Sequence, residues 1–308
     1  MGSSEGISLA PRRTAAAPRS SAGILETVGG GLANWLPALP LLALAATMLV
    51  VPTIALILGS FGIPHSPTLD YWVDTFQSNG GRGAILTSVR LGIASAMIAL
   101  LLGGPLAWFV SRMVTATRSV WLSLLNVAAN FGGIGLAFAY MAALGTFGMV
   151  TLALQDVGIP WIPPEIGSFT SLVMAYSYTN IPLFVLLTLP AMGILRQEWL
   201  EAAEVCAASR WQFWRFVGLP VLAPFLAAGF LLIFTWSIGL YGIAYALGGT
   251  ASSTGQLRLI TLQIGLNLNT GVGSEERSYV LAVVLLLLAT GALLSYRAVM
   301  KRALRWFS

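Results

Sequence analysis

The amino-acid sequence predicts an all-α integral membrane protein with six transmembrane helices. Three observations carry that expectation: an apolar composition, six apolar runs of spanning length, and a lopsided distribution of basic residues. Of the 308 residues, 57% are hydrophobic and only 9% are charged, with a mean hydropathy of +0.83. A soluble domain carries about 25% charged residues. This chain has too few to coat a water-facing surface, so lipid must solvate much of it. Its length suits one polytopic domain.

Residues 1–34 are rich in Ser, Ala, Gly and Pro and include Arg12, Arg13 and Arg19. Such a segment buries little, so a disordered cytoplasmic tail is expected. No cleavage site follows the Arg12-Arg13 pair, which argues against an export signal. The remainder, 35–308, is expected to form a six-helix transmembrane domain. Its apolar runs lie near 36–59, 84–110, 120–147, 169–192, 221–247 and 278–299. Each reaches the roughly 20 residues that cross a hydrocarbon core. Gly132, Gly133 and Gly135, beside Phe131, mark the point where the third run would split in two. Gly103, Gly104 and Pro105, with Pro182 and Pro190, fall inside spans, where small residues permit close helix approach and proline is tolerated.

Orientation follows from the loops. With the first residue in the cytoplasm, the inner segments hold Arg12, Arg13, Arg19, Arg112, Arg118, Arg196, Arg210, Arg215, Arg297, Lys301, Arg302 and Arg305; the outer ones hold Arg82, Arg258 and Arg277. Basic residues concentrate on the cytoplasmic side of membrane proteins, so both termini are expected there. The net charge of +5 is a product of this asymmetry and calls for no nucleic-acid partner. Arg90 lies inside the second span, near its outer end, where it can snorkel toward headgroups or face a partner or solute.

The residue inventory excludes much chemistry. A phosphate-cradling loop needs a Gly-Lys-Ser/Thr ending, and the lone lysine, Lys301, sits between Met300 and Arg302. One histidine (His65) and one cysteine (Cys206) supply neither a disulfide nor a His/Cys metal cluster. No catalytic residue, metal site or cofactor is expected.

The inner loop 193–220, GILRQEWLEAAEVCAASRWQFWRFVGLP, is more than a connector. Leu195 to Ala207 are good helix formers. Ser209 followed by Gln212 matches a capping box. Phe213, Phe216 and Val217 then share one face at helical spacing, and Gly218-Leu219-Pro220 is expected to end that second helix. In the first helix Ala202, Ala203, Ala207 and Ala208 leave little bulk beside Glu198, Glu201 and Glu204. Such a surface suits docking into another protein's groove, anchored by an ion pair; an interfacial loop covering the bundle is the plainer reading.

Glu201-Ala202-Ala203, then Ala207-Ala208-Ser209, and finally Leu219-Pro220 resemble the EAA loop of binding-protein-dependent ABC importer permeases. The family has Gly where this chain has Ala207, a substitution read as small and helix-compatible. The looser likeness runs from span two to span six. It implies the type I importer permease fold in a bacterial inner membrane and a coupling helix seated on a separate ATPase dimer. On that reading Glu201 meets a basic group while Ala202, Ala203, Ala207, Ala208 and Ser209 complete the coupling loop. A second transmembrane permease subunit and an extracytoplasmic solute-binding protein are implied as partners. GLYGIAYALGG (239–249), LRLITLQIG (257–265) and NFGGIGLAFAYMAALGTFG (130–148) are similar to the iron, spermidine/putrescine and thiamine branch.

Within the spans, Asn126, Asn130, Tyr140, Tyr176, Tyr178, Asn180, Trp236, Tyr241 and Tyr245 could line a pathway, and Arg90, Asn130, Tyr176, Asn180, Trp236 and Tyr241 are the leading candidates; buried Asn and Tyr also lock helices together. The rival reading is an ion-coupled secondary transporter or channel. Such proteins carry paired charges near the midplane, and here the spans contain only Arg90.

Overall fold

The computed structural model describes residues 38–63, 67–248, 257–270 and 275–304. The tail at 1–34 and His65 fall outside them. Thirteen helices are described: α1 (Leu39–Ser60), α2 (Asp70–Gln77), α3 (Asn79–Ser111), α4 (Thr115–Asn130), α5 (Gly133–Leu144), α6 (Met149–Asp156), α7 (Phe169–Met192), α8 (Gln197–Val205), α9 (Arg210–Phe213), α10 (Leu219–Gly239), α11 (Gly242–Gly248), α12 (Ile260–Thr270) and α13 (Glu275–Leu304). A π turn, Trp214–Gly218, joins α9 to α10.

Among the described residues six stretches are long and apolar enough to cross a membrane: Leu39–Ser60, Asn79–Ser111, Gly133–Asp156, Phe169–Met192, Arg210–Gly239 and Glu275–Arg302. The expected number holds, but two of the runs are interrupted. The run expected over 120–147 breaks at Phe131-Gly132, and the stretch long enough to cross unaided begins at Gly133. Gly133 has φ +69°, a left-handed conformation that glycine adopts without steric cost. The preceding α4, at 16 residues, is too short to cross by itself, and its Leu125 packs with Val110, Val185 and Leu189. The run expected over 221–247 is likewise interrupted: its helix ends at Gly239, Leu240 is extended, and a separate short helix, α11, follows.

The chain divides into two units at Ile54–Ala55. In the first, Leu41, Met48, Leu49 and Val51 of α1 are all exposed, an all-round apolar surface that suits lipid. In the second, α7 is the central helix, with 67% of its spanning window buried. Ser168 caps it by accepting from the Ser171 N–H (3.2 Å). Its Phe184 is fully buried among Ala96 and Ala99 of α3 and Ile233 of α10. Glycine makes this possible: a Cβ at Gly103 would lie 3.0 Å from the Phe184 ring, and one at Gly229 would lie 2.9 Å from the Thr188 methyl. With no hydrophobic drive between helices in lipid, such close approach is a main source of association.

Near one end of α7, Ala107, Val110, Leu125, Val185, Leu189, Met192, Leu195 and Leu222 form a cluster beneath the α7–α8 connection. A larger one, including Leu91, Leu136, Tyr140, Leu172, Tyr176, Ile243 and Leu247, joins α3, α5, α7 and α11.

Candidate functional site

Helix α8 has no buried residue. Glu198, Glu201 and Glu204 are exposed, and none forms a salt bridge among the described residues. A nine-residue helix is marginal by itself in water, so its ends must be fixed. At its end the Cys206 N–H donates to the Ala202 carbonyl (3.1 Å), the Ala207 N–H to Glu204 (3.0 Å) and the Ala208 N–H to Ala203 (2.9 Å). The last two define a Schellman turn, which requires a left-handed residue just past the helix. That residue is Ala207, at φ +55°. The sequence reading of Ala207 as a helix-compatible filler is therefore corrected. The helix stops at Val205, and position 207 needs a positive φ, which alanine adopts at a cost.

Ser209 then opens α9 through the expected capping box. The Ser209 N–H donates to Gln212 Oε1 (2.7 Å), and the Gln212 N–H donates to Ser209 Oγ (3.3 Å). The expected stop at Gly218-Leu219-Pro220 does not occur. Instead the chain widens into the π turn, with the Leu219 N–H donating to the Trp214 carbonyl, and runs directly into α10. Pro220 lies at the start of α10, directly after the π turn. The wider turn also swings Phe216 away from Phe213: Phe213 is 3% exposed and Phe216 69%. The expected common face of Phe213, Phe216 and Val217 is thus not formed. A Cβ at Gly218 would lie 2.6 Å from the Trp214 ring, so that ring can fold across the turn only over glycine.

Both arms of the loop rest on the end of α3. Arg112 donates from Nη1 to Gln197 Oε1 (2.8 Å) and from Nη2 to the Leu195 carbonyl (3.0 Å). Its guanidinium lies 4.1 Å from the Trp108 ring centroid. Trp108 meets Trp214 edge to face at 4.8 Å. Sequence reasoning counted Arg112 as one inner charge among twelve. The Trp108/Arg112 pair, one helical turn apart at a span end, was the available signal.

The candidate pathway residues separate into two groups. Tyr176 and Asn180 are fully buried. Tyr176 Oη donates to the Leu240 carbonyl (3.0 Å), and Asn180 Nδ2 donates to Ser237 Oγ (2.9 Å), which also lies 3.1 Å from Ser95 Oγ. Arg90, Asn130, Trp236 and Tyr241 are exposed. Asn130 precedes the break in the third span and Tyr241 lies in the break of the fifth. Those breaks meet: a Cβ at Gly242 would lie 3.3 Å from Gly133 Cα. A cleft of about 590 Å³, lined by Ile98, Phe131, Tyr140, Met174, Ser177, Tyr178 and further apolar groups, contains none of the six leading candidates but two of the wider set, Tyr140 and Tyr178.

These features define a polytopic helical membrane protein that presents an acid-bearing helix-turn-helix at one end. The chain belongs to the family described as binding-protein-dependent transport system inner membrane component, which matches residues 88–305. It is 27% identical over 211 residues to the sulfate transport system permease protein CysT of Escherichia coli K12, covering 66% of this chain and 74% of that protein. The molybdenum transport system permease protein ModB of Mycobacterium tuberculosis is 28% identical over 216 residues, covering 68% and 78%. The spermidine/putrescine permease PotB of Escherichia coli K12 is 26% identical over 167 residues, covering 54% and 60%. In structure, a chain of a bacterial ABC transporter that imports the polysaccharide alginate matches with a TM-score of 0.68 at 16% identity, covering 92% of this chain and 99% of that one. The protein is therefore a transmembrane permease subunit of an ATP-binding-cassette importer, working with a separate ATPase and a solute-binding protein.

Proposed function

We propose that residues 193–220 form the loop through which this permease engages its ATPase, with α8 as the inserted element and Glu201 as its ionic anchor. The observation that carries the reading is a helix with no buried side chain that is nevertheless fixed at both ends and offers three exposed carboxylates with no salt bridge among the described residues. Ala202 and Ala203 let another backbone approach closely. Ala207, Ala208 and Ser209 set the turn. ATP hydrolysis falls to the partner.

Two spatial groupings support an orientation with both termini cytoplasmic. Arg112 meets Gln197 and Leu195 at the loop. The groups assigned outside also gather: Arg277 pairs with Asp74 at 3.0 Å, and Arg258 lies beside Gly80.

The solute path is assigned to the exposed Arg90, Asn130, Trp236 and Tyr241, and helix locking to Tyr176 and Asn180. Irregular backbone at membrane depth is tolerated where it is buried in protein or lines a water-filled cavity. Asn130 and Tyr241 flank two such breaks. The relatives carry sulfate, molybdenum or polyamines, solutes of opposite charge, on one fold. The acids of the described spans lie only at span ends, at Asp156, Glu275 and Glu276. Choice of solute thus belongs mainly to the external binding protein.

The test is Glu201→Lys in the tagged chain, expressed with its neighbouring genes. The variant should insert normally but lose co-purifying ATPase. Normal uptake and ATPase retention would overturn the role of Glu201.

A further inference from the structure

We propose that Arg112 is a positioning residue that fastens the coupling loop to α3, so that the loop and this helix move as one body. The proposal rests on the reading of 193–220 as the ATPase-engaging loop. Its basis is the convergence of the two loop arms on one turn of α3. The incoming arm is held by a two-point guanidinium contact, to the Gln197 side chain at 2.8 Å and the Leu195 carbonyl at 3.0 Å. The outgoing arm is held by Trp214, which packs edge-on against Trp108 at 4.8 Å. Arg112 stacks over the same Trp108 ring at 4.1 Å, so cation, indole and the edge-on second indole form one continuous line of contact across the base of the loop.

Each component is specific to its residue type. The planar, forked guanidinium can bridge a side-chain oxygen and a main-chain oxygen while stacking on an aromatic face; an ammonium cannot do all three. Gly218 gives the Trp214 ring its place over the π turn. Beneath the stack, Leu195, Met192, Val110 and Ala107 share one buried cluster. Motion delivered to α8 is therefore passed first to α3, which runs the length of the bundle and packs against both α7 and α10 through Phe184, Ala96 and Ala99. The flexible joint between loop and bundle lies elsewhere than at the base of the loop.

The experiment uses the full complex, purified with its ATPase and reconstituted in nanodiscs. Spin labels are placed at Phe109→Cys and Val205→Cys, both exposed, in a Cys206→Ser background. With Arg112 intact, the label distance should change by less than about 2 Å between nucleotide-free and ATP–vanadate states, the size of a small helix shift. Arg112→Ala should broaden that distribution, and stimulation of ATP hydrolysis by the binding protein should fall about tenfold, within the usual range of coupling effects. ATPase co-purification should persist. Arg112→Lys should give an intermediate result. If Arg112→Ala fails to insert, Gln197→Ala, which removes one acceptor only, should still broaden the distribution. A change beyond about 5 Å with Arg112 intact, one helical turn, overturns the proposal. So does Arg112→Ala or Gln197→Ala with an unaltered distribution. Glu201→Lys separates the two readings: if that variant keeps its ATPase and its activity, the loop assignment fails, whatever Arg112 does.

Discussion

Replacing Ala207 with glycine should strengthen the 193–220 loop rather than loosen it. Ala207 sits at φ +55° and closes the Schellman turn of α8. A left-handed backbone costs an L-residue about 1–2 kcal/mol. Glycine escapes that cost but loses more unfolded-chain entropy, about 0.4–1 kcal/mol. The net gain is about 1 kcal/mol, which is close to a fivefold change in the local opening equilibrium. Hydrogen exchange on amides of the 197–208 segment should therefore slow about fivefold in Ala207→Gly, since these amides open locally rather than with the whole fold. Ala203→Gly is the opposing control. It lies inside α8, where glycine costs about 1 kcal/mol, so exchange should quicken by a similar factor. Unchanged or faster exchange in Ala207→Gly, alongside faster exchange in Ala203→Gly, would refute the positive φ and with it the Schellman turn.

Two further outcomes follow from the placement of the polar span residues. Asn180→Ala should lower stability in a detergent unfolding titration by roughly 0.6 kcal/mol, the mean for interhelical hydrogen bonds in membranes, and leave solute preference untouched; altered preference at unchanged stability would reassign Asn180 to the pathway. Single cysteines at Asn130 and Tyr241, in a Cys206→Ser background, should react with a membrane-impermeant thiol reagent at least about tenfold faster than one at Leu101, which is exposed on an apolar span face, because irregular backbone in membranes adjoins water. Equal rates at all three would remove both residues from the pathway.

What the sequence revealed, and what it concealed, divides along the range of the interactions. The apolar runs declared six spans because span length is set by the bilayer and each run is contiguous. The Ser209/Gln212 capping box was legible because its partners lie three residues apart. The break at Phe131-Gly132 was marked by its glycines, whereas its contact with the break after Gly239 joins residues more than 100 positions apart and left no local mark. The π turn had no local signature, since it exists where Trp214 folds over Gly218 and packs on Trp108. Arg112 meets Gln197 across 85 positions of sequence, so charge counting could place it on the right side of the membrane and no further.

The same distinction explains how an alanine can stand where the family pattern has glycine. At the end of α8 the sequence supplies a local defect, a non-glycine residue in a left-handed turn. The structure supplies long-range compensation: Arg112 fixes the helix start, the Ser209 capping box fixes the next turn, and the Trp108–Trp214 contact fixes the exit. With both flanks held, the turn at 207 has one remaining path, and alanine is forced along it. Residual strain then concentrates at a single residue between two clamped segments. The effects of Arg112→Ala and Ala207→Gly should accordingly be non-additive on exchange in α8. Loss of the clamp lets Ala207 relax, so glycine has less strain to relieve once Arg112 is gone.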